Sequence, residues 1–138
     1  MVMALLSQWL IAALGGSMLF FAIVVAPTSF RSLPAEMSGL FLRRLFPLYY
    51  LWGLVISLLA SSSAYFAGAG LDGTLCALVA LLFVYVRLYL LPRLEQLRPL
   101  RQQGDAQATA DFRRLHRYSV LINFAQLLVL LGTSIFTA

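Results

Sequence analysis

Charged residues in this chain gather between four long apolar stretches, at about residues 5–26, 45–66, 74–91 and 118–136. Each stretch holds roughly 20 residues, enough for a helix to cross the ~30 Å hydrocarbon core of a bilayer. The pattern predicts an all-α integral membrane four-helix bundle, a single transmembrane domain over residues 1–138. Four spans and their connections use up the chain and leave no room for a separate soluble domain.

The polar positions mark out the elements. In the first span Ala12 with Gly16, and Ala13 with Ser17, are small residues four apart, expected to pack against a neighbouring helix of the same chain. Pro27 is expected to stop that span. Ser32-Leu33-Pro34-Ala35-Glu36 reads as a helix start, with a capping hydroxyl, an early proline and an acid in the first turn. It predicts a short interfacial helix in the first connection, with Met37, Leu40 and Phe41 on its apolar side. The second span then opens near Leu45, with Pro47 in its first turn and Tyr49, Tyr50 and Trp52 as interfacial aromatics. Ser57, Ser61, Ser62 and Ser63 are expected to bond back to their own helix. The Gly-rich stretch Gly68 to Gly73 makes the second and third spans an antiparallel hairpin.

The third span is expected to end at Pro92, with a helical extension from Arg93 to Pro99 beyond the membrane. A turn at Gln102 to Asp105 follows, and Asp105 can cap a last helix that runs unbroken into the fourth span. No internal repeat is evident.

Charge sets orientation. All ten basic residues are arginines, and they fall in or beside the first and third connections, whereas the middle connection carries only Asp72. Cationic loops stay in the cytoplasm, so both termini are expected outside it, in a multi-pass protein of a bacterial inner membrane. The net charge of +5 does not point to nucleic acid, because the arginines border apolar spans where anionic lipid headgroups meet them. With 62% hydrophobic and 11% charged residues, the chain is far from the composition of a soluble domain. The N-terminus has no basic residue before its apolar run, so the first span is expected to be retained rather than cleaved. The single cysteine, Cys76, excludes an internal disulfide and reads as a small buried hydrophobe.

Candidate chemistry is sparse. Arg87 lies inside the third span, about five residues from its cytoplasmic edge, where snorkelling or a structural pairing comes ahead of a functional role. On the fourth helix, Ala108, Phe112, Leu115, His116, Ser119, Asn123 and Gln126 share one side, with Arg113, Arg114 and Arg117 opposite. Amides facing lipid would go unsatisfied, so Asn123 and Gln126 are expected to face the bundle. The stripe admits three readings: polar bonds that fix helix register, a metal or haem ligand at His116, or an anion site formed by His116 with Arg87. The metal and cofactor remain unknown, because His116 is the only histidine and has no ligand partner at a suitable spacing. No phosphate loop, paired carboxylates or nucleophile–base set is present.

Val25-Ala26-Pro27-Thr28-Ser29-Phe30-Arg31, Phe46-Pro47-Leu48-Tyr49-Tyr50, and Asp111-Phe112-Arg113-Arg114-Leu115-His116-Arg117-Tyr118-Ser119 leading to Asn123 resemble the transmembrane protein 205-like family. Its bacterial members are known as domain of unknown function 4149. The resemblance covers nearly the whole chain and implies the same four-span plan, without an established activity. The eukaryotic relative is associated with platinum-drug resistance. The plan is also similar to four-span copper-resistance and haem-pathway proteins, which use more histidine than this chain has. It further implies a shared site at the cytoplasmic edge, built from the segments holding Pro27, Arg31, Pro47, Tyr49, Tyr50 and His116.

The leading expectation is a non-enzymatic accessory or interaction protein whose basic cytoplasmic edge binds lipid headgroups, a membrane-protein partner or a second copy. The runner-up is a metal-, haem- or small-solute-handling module using His116, Arg87 and Asn123. Reporter fusions test the orientation: Gly104 should lie in the cytoplasm and Gly70 in the opposite compartment. A cytoplasmic signal from Gly70 would defeat the charge argument.

Overall fold

Four helices, and no strand among the described residues, make up the chain: α1 (Val2–Ser32), α2 (Ala35–Phe66), α3 (Gly70–Gln102) and α4 (Ala106–Thr137). The computed structural model describes residues 1–137, with side chains as far as Thr133. Each of the four is long and apolar enough to cross a membrane, so the protein is a multi-pass membrane protein. At 31 to 33 residues, α1 to α3 each reach about 48 Å, well beyond the ~30 Å a bilayer core requires. The surplus lies at one end, where α1 and α3 finish, α2 and α4 begin, and the arginines collect.

That surplus corrects several expectations. Pro27 does not end its helix, and at Pro92 the helix runs on, as the extension beyond the third span predicts. A proline ring collides with the carbonyl four residues earlier and gives the helix no N–H. Here a wide π turn precedes each proline, Phe21–Val25 before Pro27 and Val86–Leu90 before Pro92. In these turns the Ala26 N–H donates to the Phe21 carbonyl and the Leu91 N–H to the Val86 carbonyl, each five residues back. The wider turn relieves the collision and the helix continues. The helix of α3 also passes Pro99 and stops only at Gln102.

No separate interfacial helix exists in the first connection either. Residues 35–44 are the first turns of α2, which runs unbroken to Phe66 and carries Pro47 in its interior instead of its first turn. The break falls at Leu33, which is extended (φ −115°, ψ 145°) because it precedes Pro34. Ser32 closes α1, and no side chain caps α2. At the other connection the expected cap is present: the Ala108 N–H donates to the Asp105 carboxylate at 3.0 Å. Gly104 makes that turn with φ +86°, a conformation glycine adopts at little cost.

The helices pack in a ring, α1 to α2 to α3 to α4 and back to α1, with the α2–α3 seam the most intimate and the α1–α4 seam sparse. Leu14, Met18, Ala60, Cys76, Val79, Phe83 and Leu130 fill the centre. Gly53 lets the Phe83 ring lie directly against the α2 backbone. Polar bonds help to fix register across helices: among them, Ser61 Oγ donates to the Gly73 carbonyl at 2.7 Å, and Gln126 Nε2 to the Val79 carbonyl at 3.0 Å. Ser57, Ser62 and Ser63 bond back to α2, as hydroxyls in apolar helices do. The small residues of α1 do not pack within the chain. Nothing lies within 4 Å of where a β-carbon at Gly15 or Gly16 would stand, and Ala12 and Ala13 are exposed. Instead α1 turns Ser7, Ile11, Leu14 and Met18 inward, because bulkier side chains make the dispersion contacts that hold helices together in lipid.

The two halves of the chain also share a plan that the sequence did not announce. A π turn ends two residues before a proline in both α1 and α3. Arg-Arg-Leu occurs in both α2 (Arg43-Arg44-Leu45) and α4 (Arg113-Arg114-Leu115). The close approach at Gly53 has a measurable consequence. Gly53→Ala should cost about 1–3 kcal/mol through overpacking against Phe83. Gly15→Ala, facing open space, should cost nothing. Thermal unfolding in detergent would compare them, and equal losses would contradict the Gly53–Phe83 contact.

Candidate functional site

Little more than one turn of α2 places Phe46, Tyr49 and Tyr50 on one side of the helix, facing inward. Tyr49 and Tyr50 are buried, while Trp52 points outward, so of the expected interfacial aromatics only Trp52 is exposed. Burial follows from what α1 and α4 bring against them. Phe21, the first residue of the π turn in α1, stacks on Tyr49 with ring centroids 4.3 Å apart and planes at 24°. It also meets Phe46 at 5.4 Å, and Phe46 stacks on Tyr50 at 5.9 Å. The result is a continuous wall of four rings.

The opposite wall is polar and comes from α4. His116, Ser119 and Asn123 line a cavity of about 250 Å³ whose other sides are Phe21, Phe46, Tyr49 and Tyr50, with Phe30 and Leu42 at its margin. Tyr49 donates its hydroxyl hydrogen to Asn123 Oδ1 at 2.7 Å. The Tyr50 hydroxyl faces Ser119 closely enough to interact with it, and Ser119 Oγ donates to the His116 carbonyl at 2.7 Å. The Tyr49 hydroxyl therefore spends its donor inside the protein, as a buried tyrosine must. Two donors remain. Among the described residues, neither the Asn123 amide nitrogen nor the His116 imidazole has a hydrogen-bond partner. His116 is exposed at the cavity's rim, where it also borders a smaller recess of about 130 Å³ beside Arg101 and Phe112.

Pro27 shapes this site without lining it. It has no N–H, so a carbonyl of the turn before it goes without a helical donor, and Ala22 and Ala26 of that region line the cavity. Of the residues the sequence singled out, the structure brings together Tyr49, Tyr50, His116, Ser119 and Asn123. It leaves Gln126 deeper, bonded to Val79, and Arg87 elsewhere, on the π turn of α3. The Arg87 Nε is buried without a partner among the described residues, and Arg87 does not line the cavity beside His116. Arg31 and Pro47 do not line it either. Phe21 and Phe30 were missed. A phenylalanine in an apolar helix says nothing about which way it faces, and the only signal for Phe21 was Pro27, more than a turn and a half downstream.

Chemically the site offers flat apolar walls and two free donors. Among the described residues no three His, Cys, Asp or Glu side chains gather closely enough to hold a metal ion. The Tyr49–Asn123 bond should contribute to the register of α2 against α4. Tyr49→Phe is expected to cost about 1 kcal/mol. Combined with Asn123→Leu it should show non-additive loss in thermal unfolding, and strict additivity would remove the bond's role.

No curated protein and no solved structure matches the chain. A family match ends just before α4, so His116, Ser119 and Asn123 lie outside it. Residues 9–103 match the family described as a domain of unknown function (DUF4149), and the chain belongs to that family.

Proposed function

We propose that the protein is a non-enzymatic binding protein of a bacterial inner membrane, its arginine-rich end in the cytoplasm. In this reading it holds a small, flat molecule with a carbonyl-type acceptor, drawn from the lipid phase into the aromatic cavity. The observation that carries this is the pairing of a four-ring wall with two unspent donors, Asn123 and His116, across one cavity. Rings stack on flat ligands and the donors orient an acceptor. The volume, about 250 Å³, suits one or two fused rings better than a porphyrin or a drug-sized ligand.

The cavity lies where α1 meets α4 across their sparse seam, and exposed Phe30 and Val120 border it, so a ligand dissolved among acyl chains has a lateral path. His116 is the only histidine of the chain, and neither recess that it lines contains a Cys, Asp or Glu, which favours an organic ligand over a metal. Holding, sensing or handing on such a molecule is an accessory role. It needs neither a nucleophile nor an acid–base pair.

A simple quinone serves as the probe. The protein in nanodiscs should retain 2-methyl-1,4-naphthoquinone saturably above empty nanodiscs. Phe21→Ala and Asn123→Leu should each weaken retention about three- to tenfold. Retention no greater than that of empty discs, or unchanged in both variants, would overturn the reading.

A further inference from the structure

A second concave surface lies outside the aromatic cavity. Where α2 and α3 extend past their apolar stretches, they flank an open cleft of about 700 Å³. Arg43 enters it from α2, and Arg98 and Arg101 enter from α3. Such a group of arginines ordinarily repels itself and moves freely in water, losing order and affinity together. Here each is held. Glu95 grips two of them, Arg43 Nη2 at 2.6 Å and Arg98 Nη2 at 3.3 Å. The guanidinium carbons of Arg98 and Arg101 sit 5.8 and 4.4 Å from the centre of the Phe112 ring on α4.

The manner of holding matters. A ring face fixes a guanidinium by cation–π attraction without neutralising it. Glu95 supplies one negative charge for two positive ones. Arg101 has no carboxylate partner among the described residues, and the Arg98 Nε is buried without a hydrogen-bond acceptor. Glu36 borders the cleft but pairs with none of the three arginines. The cleft thus presents preorganised, unspent guanidinium donors, and such forks match phosphate oxygens in pairs. Preorganisation removes the ordering cost that makes exposed arginines poor anion sites.

We propose that this cleft is a phosphate site, recognising the phosphate of an anionic lipid headgroup or of a soluble phosphate ester. It stands independently of the aromatic cavity and of the chain's orientation, because in a nanodisc both faces meet the same solution.

Two arms separate the sources. In phosphatidylcholine nanodiscs, titrated pyrophosphate should bind saturably if soluble phosphate is the ligand. From mixed phosphatidylcholine–phosphatidylglycerol vesicles, the purified protein should retain an excess of phosphatidylglycerol if a headgroup is the ligand. In whichever arm responds, Arg98→Gln and Arg101→Gln should each weaken binding about tenfold. Phe112→Leu, which keeps every charge but removes the stack, should weaken it about threefold. Arg114→Gln, which alters an exposed arginine paired with Asp111 and not lining the cleft, should change nothing. Circular dichroism would show that each variant keeps its helices. Binding in neither arm, or equal loss in Arg114→Gln and Arg101→Gln, would overturn the proposal.

Discussion

Inside a bilayer every backbone N–H and C=O must find a partner within the protein, and proline cannot supply its share. Much of this structure follows from how two helices meet that constraint. At Pro27 and Pro92 the chain widens the preceding turn instead of ending the helix. Each wide turn shifts the residues before it around the helix axis, and in α1 the first residue of that turn is Phe21. Its ring then reaches Tyr49, Tyr49 reaches Asn123, and α1, α2 and α4 become linked around one cavity. A straight α1 ending at Pro27 would leave the aromatic wall one ring short.

The four helices were legible in the sequence, because apolar runs of the right length have few alternatives. Their ends were not. Hydropathy records where lipid lies, whereas a helix goes on as long as its hydrogen bonds are met. Residues 35 to 44 read as a separate interfacial helix but are the first turns of α2, and the helical extension expected from Arg93 to Pro99 runs on to Gln102. Proline misled for the same reason: its meaning as a stop holds for an ordinary helix and fails beside a π turn. The polar stripe of α4 was readable by periodicity, since His116, Ser119 and Asn123 stand out in an apolar run. Of the rings across from them, Tyr49 and Tyr50 were singled out in the sequence, whereas Phe21 resembles every other phenylalanine until the helices are assembled. Arg87 and Gln126 show the reverse failure. Each was conspicuous and lies away from the cavity, yet Gln126 bonds α4 to α3 as the register reading of the stripe expects.

The shared plan of the two halves sharpens this. The residue following Arg-Arg-Leu is Phe46 in α2 and His116 in α4, and both line the same cavity. Equivalent places in two similar hairpins have thus taken opposite characters, one supplying ring surface and the other a polar nitrogen. The pair forms one two-sided site where strict symmetry would have made a wall of like against like. The sparse α1–α4 seam, set against the tight α2–α3 seam, is the same asymmetry expressed in packing.

The extended helices carry a consequence of another kind. Beyond the bilayer the chain offers water two helix-to-helix turns, Leu33-Pro34 and Gln103 to Asp105, and between them rigid rods about two to three turns long. A protease needs an unwound segment of several residues to fit its cleft, and the first of these turns is too short and too proline-rich to provide one. The arginine-rich end therefore meets its surroundings as a stiff relief of grooves and ridges. Whatever associates with it must match that shape as it stands, since the chain has little slack at that end with which to adapt.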